Sequence, residues 1–180
     1  MEQKWKYEPL THEQMVLANT LSAELDISPV LCGLLVKRDI TSVSDAKNFF
    51  RPKLSMLHNP FLMNDMDIAV QRLNKALGKK ERILVYGDYD VDGITSVSAL
   101  YLYLKNFTEN VGYFIPDRFS QGYGVNEGAI DKIHNEKYDL IITVDTGISA
   151  IEEIDYANSL GMMVVVTDHH ECQEILPKAS

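Results

Sequence analysis

The pattern of hydrophobic and polar positions changes near residue 78. Before that point, apolar residues recur at helical spacing. Thr11 with Gln14 has the arrangement of a capping box, and Ser28 with Pro29 has the N-cap and first-turn pairing that opens a helix. The pattern predicts a small helical N-terminal region over residues 1–78.

The last helix of this region is expected to lie directly before the change of pattern. Asn64 would cap its start, and Gly78 would stop it, because glycine favours the position just after a helix. The prolines between residues 51 and 64 indicate a packed connector before this helix.

After residue 78, short apolar runs alternate with helical stretches. The strand-like runs are residues 83–86, 111–115, 140–144 and 162–167. The helical stretches between them are residues 95–107, 126–136 and 149–160. Nearly continuous apolar strands that alternate with helices predict an α/β domain with a mostly parallel sheet and helices on both faces. We expect this domain over residues 79–180, with a further strand beyond the tail.

Three clusters of acidic residues or histidines follow predicted strands. Asp88, Asp90 and Asp92 alternate after the first strand, Asp145 follows the third, and residues 168–170, Asp-His-His, follow the fourth. Carboxyl ends of parallel strands line one edge of a sheet, and ligands of open α/β sheets bind there. The sequence therefore predicts that the three clusters share one site.

So many carboxylates in one place need a cation. A pair of divalent ions needs a bridging carboxylate, several oxygen ligands and one or two imidazoles. Mostly oxygen donors favour Mn²⁺ or Mg²⁺ over structural zinc. The residues that supply such a set are Asp90, Asp92, Asp145 and His169. We expect a centre of two such ions.

The two adjacent histidines are expected to have different roles, because neighbouring side chains point in different directions. One would bind metal and the other would face the phosphate of a substrate. Asp168 would hold an imidazole in the required tautomer, as carboxylates behind a metal ligand do.

Other interpretations of the acidic loop are weaker. A calcium-binding EF-hand would need glutamate where this chain has Ala99. A haloacid-dehalogenase-type phosphatase would use Asp90 and Asp92 as nucleophile and acid, and a solvated acidic turn would use neither, but both leave the Asp-His-His cluster unexplained. Residues 145–147 match the aspartic-protease triplet, although that site needs two copies on a β-rich fold.

Composition narrows the partners. Seventeen Lys and Arg against 26 Asp and Glu give a net charge of −9, so charge alone would not hold a nucleic acid. Bound cations or local basic surface would be required. The absence of a signal peptide or a membrane-spanning apolar run predicts a cytoplasmic protein without a membrane partner, with Cys32 and Cys172 reduced.

Three motifs together resemble the DHH phosphoesterase superfamily. They are residues 87–93 (Gly-Asp-Tyr-Asp-Val-Asp-Gly), 144–147 (Val-Asp-Thr-Gly) and 168–170 (Asp-His-His). Other segments resemble the bacterial members that digest single-stranded DNA from the 5′ end, namely residues 49–52, 59–61, 66–70, 116–118 and 122–126. The resemblance covers most of the chain.

The resemblance implies a metal-dependent phosphodiesterase, a 5′→3′ exonuclease for single-stranded DNA that acts in DNA repair and recombination. Single-strand-binding protein and a helicase would be further partners. The resemblance assigns two Mn²⁺ or Mg²⁺ ions to the same four ligands and places His170 near the scissile phosphate. Related pyrophosphatases have a metal-binding histidine where this chain has Tyr86, so Asp88 or water would fill that place.

Within the resemblance, the expected catalytic residues are Asp145, Asp168 and His170. The expected substrate contacts are His170 and Arg118. Arg118 lies in a glycine-rich loop, from which its planar guanidinium could bind a DNA phosphate. Asn126, at the end of this loop, is expected to cap the next helix instead.

Two alternative functions stay open. A sister enzyme of the superfamily would hydrolyse pyrophosphate, a cyclic dinucleotide or very short RNA, but it would be expected to lack the helical N-terminal region. A non-catalytic scaffold would be expected to lose site carboxylates. A fourth-motif aspartate and a second domain are expected after Ser180, so the 180 residues alone are expected to be nearly inactive.

Overall fold

The computed structural model of this chain describes Lys4 and residues 6–180. The chain forms two compact units, Met1–Asn59 and Pro60–Ser180. The helical region expected from the sequence starts at residue 1, so residues 1–3 and 5 of that expectation lie outside the described residues.

The first unit is helical. Its helices are α1 (His12–Leu25), α2 (Pro29–Val36) and α3 (Val43–Phe50), followed by a short 3₁₀ turn, Leu54–Met56. The predicted capping box is present, since Gln14 N donates to Thr11 Oγ1 at 3.2 Å and Thr11 N donates to Gln14 Oε1 at 2.9 Å. Ser28 caps α2, as predicted. Buried Leu21 and Cys32 join α1 to α2 in a small core.

The second unit alternates strands and helices after a 3₁₀ turn, Pro60–Leu62. Its helices are α4 (Met66–Lys79), α5 (Val91–Leu104), α6 (Glu127–Asn135) and α7 (Ile151–Ser159). Its strands are β1 (Ile83–Tyr86), β2 (Val111–Phe114), β3 (Leu140–Val144) and β4 (Met163–Thr167).

The four strands form one parallel sheet in the order β2-β1-β3-β4. Helices α4 and α5 cover one face, where Ala76 and Val97 pack with Val85. Helices α6 and α7 cover the other face, where Ile130 and Ile154 join the core. The predicted α/β class, with a parallel sheet covered on both faces, is confirmed. Among the described helices, none has the length and apolar character needed to cross a membrane.

Helix α4 differs from its prediction at both ends. Asn64 does not cap it, so that prediction is wrong: Asp65 is the N-cap residue, with a left-handed backbone and no capping side chain. Gly78 lies inside the helix, and the left-handed residue that ends it is Lys80. Backbone hydrogen bonds from Lys80 N to Leu77 O and from Glu81 N to Ala76 O close this end, which suffices without glycine.

Helix α4 also moves the division of the chain. It packs on the sheet through Ala76, with Ala69, Leu73 and Leu77 around it, and therefore belongs to the second compact unit. The division falls between Asn59 and Pro60, earlier in the chain than the expected boundary at residues 78–79. The two-domain division itself remains a proposal.

The strand order creates a switch point between β1 and β3. The chain leaves β1 for β2 on one side and then returns to place β3 on the other side of β1. Loops that follow two such strands diverge, and the crevice between them is the usual ligand site of an open α/β sheet. The acidic loop after β1 and Asp145 after β3 flank this crevice.

Candidate metal centre

The loop after β1 is a tight turn that leads directly into α5. Asp90 is the N-cap of α5, and its Oδ1 accepts a hydrogen bond from Gly93 N at 2.9 Å. A Cβ on Gly93 would lie 2.4 Å from the carbonyl oxygen of Asp88, so only glycine fits there. This cap explains why α5 begins at Val91 rather than at the predicted Thr95, and it leaves Asp92 exposed in the first helical turn.

Asp88 is the buried member of the acidic loop. Its residue is 1% exposed, and its Oδ1 has no hydrogen-bond partner in the described part of the chain. Burial raises the pKa of Asp88, and the nearby charges of Asp90 and Asp145 raise it further, against a backbone hydrogen bond from Tyr89 that lowers it. The negative charge of Asp88 is therefore poorly compensated, and a cation would supply the missing partner.

Asp145 is presented by an unusual backbone conformation. Its φ is 59°, in the left-handed region, and Asp145 N donates to Thr167 O of β4 at 3.1 Å. Gly147 follows at φ 111°, where a Cβ would come 2.7 Å from Thr143 Oγ1. The nearly buried Asp145 carboxylate lies 2.9 Å from His169 Nε2 through Oδ1. The turn thus delivers a carboxylate from β3 to an imidazole that follows β4.

Asp168 anchors the two histidines. Its Oδ1 accepts hydrogen bonds from His169 N at 2.8 Å and His170 N at 3.1 Å, and it lies 2.7 Å from His170 Nδ1. Its Oδ2 accepts from Ile148 N at 3.0 Å. Burial works to raise the pKa of Asp168, but these hydrogen bonds outweigh it, so the pKa is lowered and the carboxylate stays ionised. The hydrogen bond between His170 Nδ1 and Asp168 Oδ1 raises the pKa of His170.

The predicted ligands are only partly brought together. Asp145, His169 and His170 each offer a ligand atom, and these atoms lie within 4.8 Å of one another. Asp90 and Asp92 lie on the neighbouring loop and helix, outside this cluster of three. The charge of Asp90 nevertheless raises the pKa of His170, and the charge of Asp145 raises the pKa of Asp88. The acidic loop therefore lies beside the cluster. The geometry supplies carboxylate and imidazole donors for a divalent ion.

Tyr86 occupies the position at which related pyrophosphatases have a histidine. It is fully buried, and its hydroxyl donates to Gly124 O at 3.0 Å and accepts from Asn126 Nδ2 at 3.4 Å. Burial raises the pKa of Tyr86 above its usual range. The hydroxyl therefore ties the β2–α6 loop to β1. Asn126 also caps α6 through Ala129 N, as the sequence predicted.

Two tyrosines at the site were missed by sequence reasoning. The Arg118 guanidinium lies 5.5 Å from the ring centroid of Tyr89, and the ring of Tyr123 meets Tyr89 edge-on at 6.2 Å. Tyr123 Oη lies 3.3 Å from His170 Nε2. Sequence signals existed, because Tyr89 lies inside the acidic motif and Tyr123 lies between two glycines with positive φ. The predicted substrate residue Arg118 is exposed on the same loop.

Comparisons with known proteins find a matching family model and similar sequences. Residues 82–180, more than half of the chain, match the family model described as DHH family, N-terminal domain. The chain is 42% identical to the single-stranded-DNA-specific exonuclease RecJ of Bacillus subtilis over 158 residues, which are 88% of this chain and 20% of that protein.

Two solved structures are also similar. A structure of RecJ from Thermus thermophilus in complex with Mn²⁺ has a TM-score of 0.67 at 28% identity, covering 92% of this chain and 22% of that one. A crystal structure of exonuclease RecJ bound to manganese has a TM-score of 0.58 at 38% identity, covering 62% of this chain and 29% of that one. The chain thus spans between a fifth and a third of the length of these relatives.

Proposed function

Because this chain belongs to the DHH family, we propose that it is part of a metal-dependent enzyme that hydrolyses the phosphodiester bonds of single-stranded DNA. The observation that carries the proposal is that several carboxylates lie close together at the β1/β3 switch point. Asp88 is buried with an Oδ1 that has no partner among the described residues, and Asp145 faces His169 and His170 from the next strand. A fold gains no stability from such an arrangement without a cation.

The residues present fit Mn²⁺ or Mg²⁺. Asp90, Asp92, Asp145 and His169 would hold two ions, with Asp88 as a further ligand in place of the histidine that Tyr86 replaces. Carboxylate oxygens with one or two imidazoles suit these cations. When bound, the ions would supply Lewis acidity that activates water and offsets charge at the phosphate. Manganese in the two similar RecJ structures supports this choice of metal.

The protein's own groups would orient the substrate. Asp168 accepts hydrogen bonds from both histidine backbones and faces His170 Nδ1, so it fixes the imidazole of His170 beside Asp145. His170 would then face the scissile phosphate. Arg118, whose guanidinium has no ion pair or hydrogen bond among the described residues, would bind a DNA phosphate with its planar fork.

The finer biology of the proposal comes from resemblance. We propose 5′→3′ polarity, a role in DNA repair and recombination, a cytoplasmic location, and single-strand-binding protein and a helicase as partners. The 180 residues alone are proposed to be nearly inactive, because the chain spans 20% of the B. subtilis RecJ it resembles.

A nuclease assay on the protein as its gene encodes it tests the proposal. With Mn²⁺ and 5′-labelled single-stranded DNA, the unaltered protein should release nucleotides, and Asp145→Ala should lower the rate by about a thousandfold or more, the loss expected when metal catalysis fails. Asp139→Ala, an exposed carboxylate at the opposite end of β3, is the matched control. Retained activity in Asp145→Ala would contradict the proposal.

The same assay separates the alternatives. Hydrolysis of pyrophosphate or a cyclic dinucleotide without release of nucleotides from DNA would favour a small-substrate enzyme of the family. Binding of DNA with no hydrolysis of any of these substrates would favour a scaffold.

A further inference from the structure

Tyr123 of the β2–α6 loop contacts the histidine cluster. Its hydroxyl lies 3.3 Å from His170 Nε2, and the two rings meet edge-on at a centroid distance of 6.4 Å. On its other side, Tyr123 meets Tyr89 edge-on at 6.2 Å. Tyr123 therefore joins the loop after β2 to the loop after β4, across the loop after β1.

The other nitrogen of His170 is already engaged. Nδ1 lies 2.7 Å from Asp168 Oδ1, a carboxylate oxygen that already accepts hydrogen bonds from His169 N and His170 N, so Nδ1 is the donor in this contact. Nε2 is then free to pair with the Tyr123 hydroxyl: it accepts from the hydroxyl when the imidazole is neutral and donates to it when the imidazole is protonated. His170 thus has a hydrogen-bond partner at each ring nitrogen, whereas the Nε2 atom of His169 faces Asp145.

We propose that Tyr123 is a positioning residue: its hydroxyl fixes the orientation of the His170 imidazole beside Asp145 and His169. Asp168 alone fixes one edge of the ring and permits the ring to tilt, and His169 stacks on one face at a centroid distance of 4.6 Å. The Tyr123 hydroxyl supplies the second point that defines the plane. This role rests on the proposed nuclease function and acts entirely through His170.

Tyr123 is itself supported, which a positioning group requires. Gly122 and Gly124 flank it with φ of 77° and 83°, left-handed backbone conformations that glycine adopts without strain. Gly124 O accepts the hydroxyl hydrogen bond of buried Tyr86, which fixes the loop to β1. The edge contact with Tyr89, which carries Arg118 over its ring, fixes the ring of Tyr123 from the side.

Tyr123→Phe is the central variant, because it keeps the ring contacts and removes the hydroxyl. In the full-length protein with Mn²⁺ and single-stranded DNA, kcat should fall about tenfold, the loss of one hydrogen bond, while KM stays within about twofold. Tyr113→Phe is the matched control: Tyr113 is an exposed tyrosine of β2 that packs on Tyr101, and its substitution should leave kcat unchanged.

A double-mutant cycle with His170→Ala separates positioning from direct contact. Tyr123→Phe should have no further effect on kcat in the His170→Ala background, because its action passes through the missing imidazole. A tenfold loss that persists in that background would show that Tyr123 touches substrate itself and would overturn the assignment.

Two measurements exclude a merely structural role. Calorimetric titration of the metal-free protein with Mn²⁺ should give the same affinity for Tyr123→Phe and the unaltered protein, and the melting temperatures should agree. An altered Mn²⁺ affinity would place Tyr123 among the groups that shape the metal site and would contradict the proposal. An active unaltered enzyme with an unaffected Tyr123→Phe variant would also refute it, whereas an unaltered protein without activity would instead refute the nuclease function.

Discussion

Charged groups are partnered differently at the two ends of the sheet. At the amino ends of the strands, Arg82 N donates to Asp139 Oδ2 at 2.8 Å, the Arg82 side chain donates to Glu136 O, and its guanidinium lies 4.6 Å from the ring centroid of Tyr138. The charged side chains of Arg82 and Asp139 therefore each have a hydrogen-bond partner there. These contacts need nothing beyond folding to explain them.

At the carboxyl ends, like charges gather instead. Asp88, Asp90, Asp145 and Asp168 surround two histidines, and buried Asp88 has an Oδ1 without a partner in the described chain. Such an arrangement costs stability, since an unsatisfied buried charge lacks both water and a counterion. This contrast between the two ends of one sheet is the reason we propose the carboxyl end as the functional one.

Neutralising Asp88 should separate stability from function most strongly. Asp88→Asn is expected to weaken Mn²⁺ binding about a hundredfold, by analogy with the upper end of losses seen around metal ligands. The same change should raise the free energy of unfolding of the metal-free protein by about 1 kcal/mol, because an unpaired buried charge disappears. Calorimetric titration and urea unfolding at neutral pH measure the two effects.

The pH dependence gives the sign of this effect. The folded-state pKa of Asp88 is raised, so the folded protein binds a proton more tightly than the unfolded one does. The free energy of unfolding of the metal-free protein should therefore fall as pH rises from the ordinary Asp value through the raised one. This part of the fall should be absent in Asp88→Asn; an identical pH profile in both proteins would contradict the assignment.

Substitution of Gly93, compared with that of Gly78, tests how closely the loop at the carboxyl end of the sheet is packed. Gly93→Ala would bring Cβ to 2.4 Å from Asp88 O and should lower the free energy of unfolding by about 2 kcal/mol, the usual cost of forcing an extra methyl group into a packed site. Gly78→Ala, inside α4 with nothing within 4 Å, should raise it by about 0.5–1 kcal/mol. Denaturant unfolding of both variants checks the pair; equal effects would mean that the loop yields.

Two arginines on tyrosine rings offer the smallest and most specific test. Arg118→Gln at the carboxyl end should raise KM for single-stranded DNA about tenfold and make it less sensitive to salt, as expected when a phosphate contact is lost. Arg82→Gln at the amino end should leave KM unchanged, because the Arg82 side chain donates to Glu136 O and lies over the ring of Tyr138, away from the proposed site. Steady-state kinetics at several salt concentrations distinguish them, and a similar KM in both variants would remove Arg118 from the substrate site.

The strands were predictable because buried parallel strands are written as continuous apolar runs. Residues 83–86 and 140–144 coincide with β1 and β3, and every residue in these two strands is buried. Helix ends were less predictable, since they depend on single capping contacts. The Asp90 side chain bonds Gly93 N and starts α5 before the predicted Thr95, and Lys80 adopts the left-handed conformation that the sequence suggested for Gly78.

At the site, the positions of the motifs after the strands predicted which residues lie close together. They did not predict which side-chain atoms contact each other. Parallel strands bring Asp145 and the two histidines to one edge, as expected. Which imidazole nitrogen meets Asp145 and which meets Asp168 depends on side-chain rotation, which no spacing encodes. The links from Tyr89 and Tyr123 cross between three loops, so they became visible only in three dimensions. The ligand roles themselves stay predictions.

Binding of Mn²⁺ to the metal-free protein, with one carboxylate removed at each end of β3, tests the central claim most directly. Asp145→Ala should lose Mn²⁺ binding by about a hundredfold or more in calorimetric titration. Asp139→Ala should bind Mn²⁺ within about twofold of the unaltered protein and lose only about 1 kcal/mol of stability, the value of its hydrogen bond from Arg82 N. Equal Mn²⁺ affinity in the two variants would contradict a metal centre at the carboxyl end of the sheet.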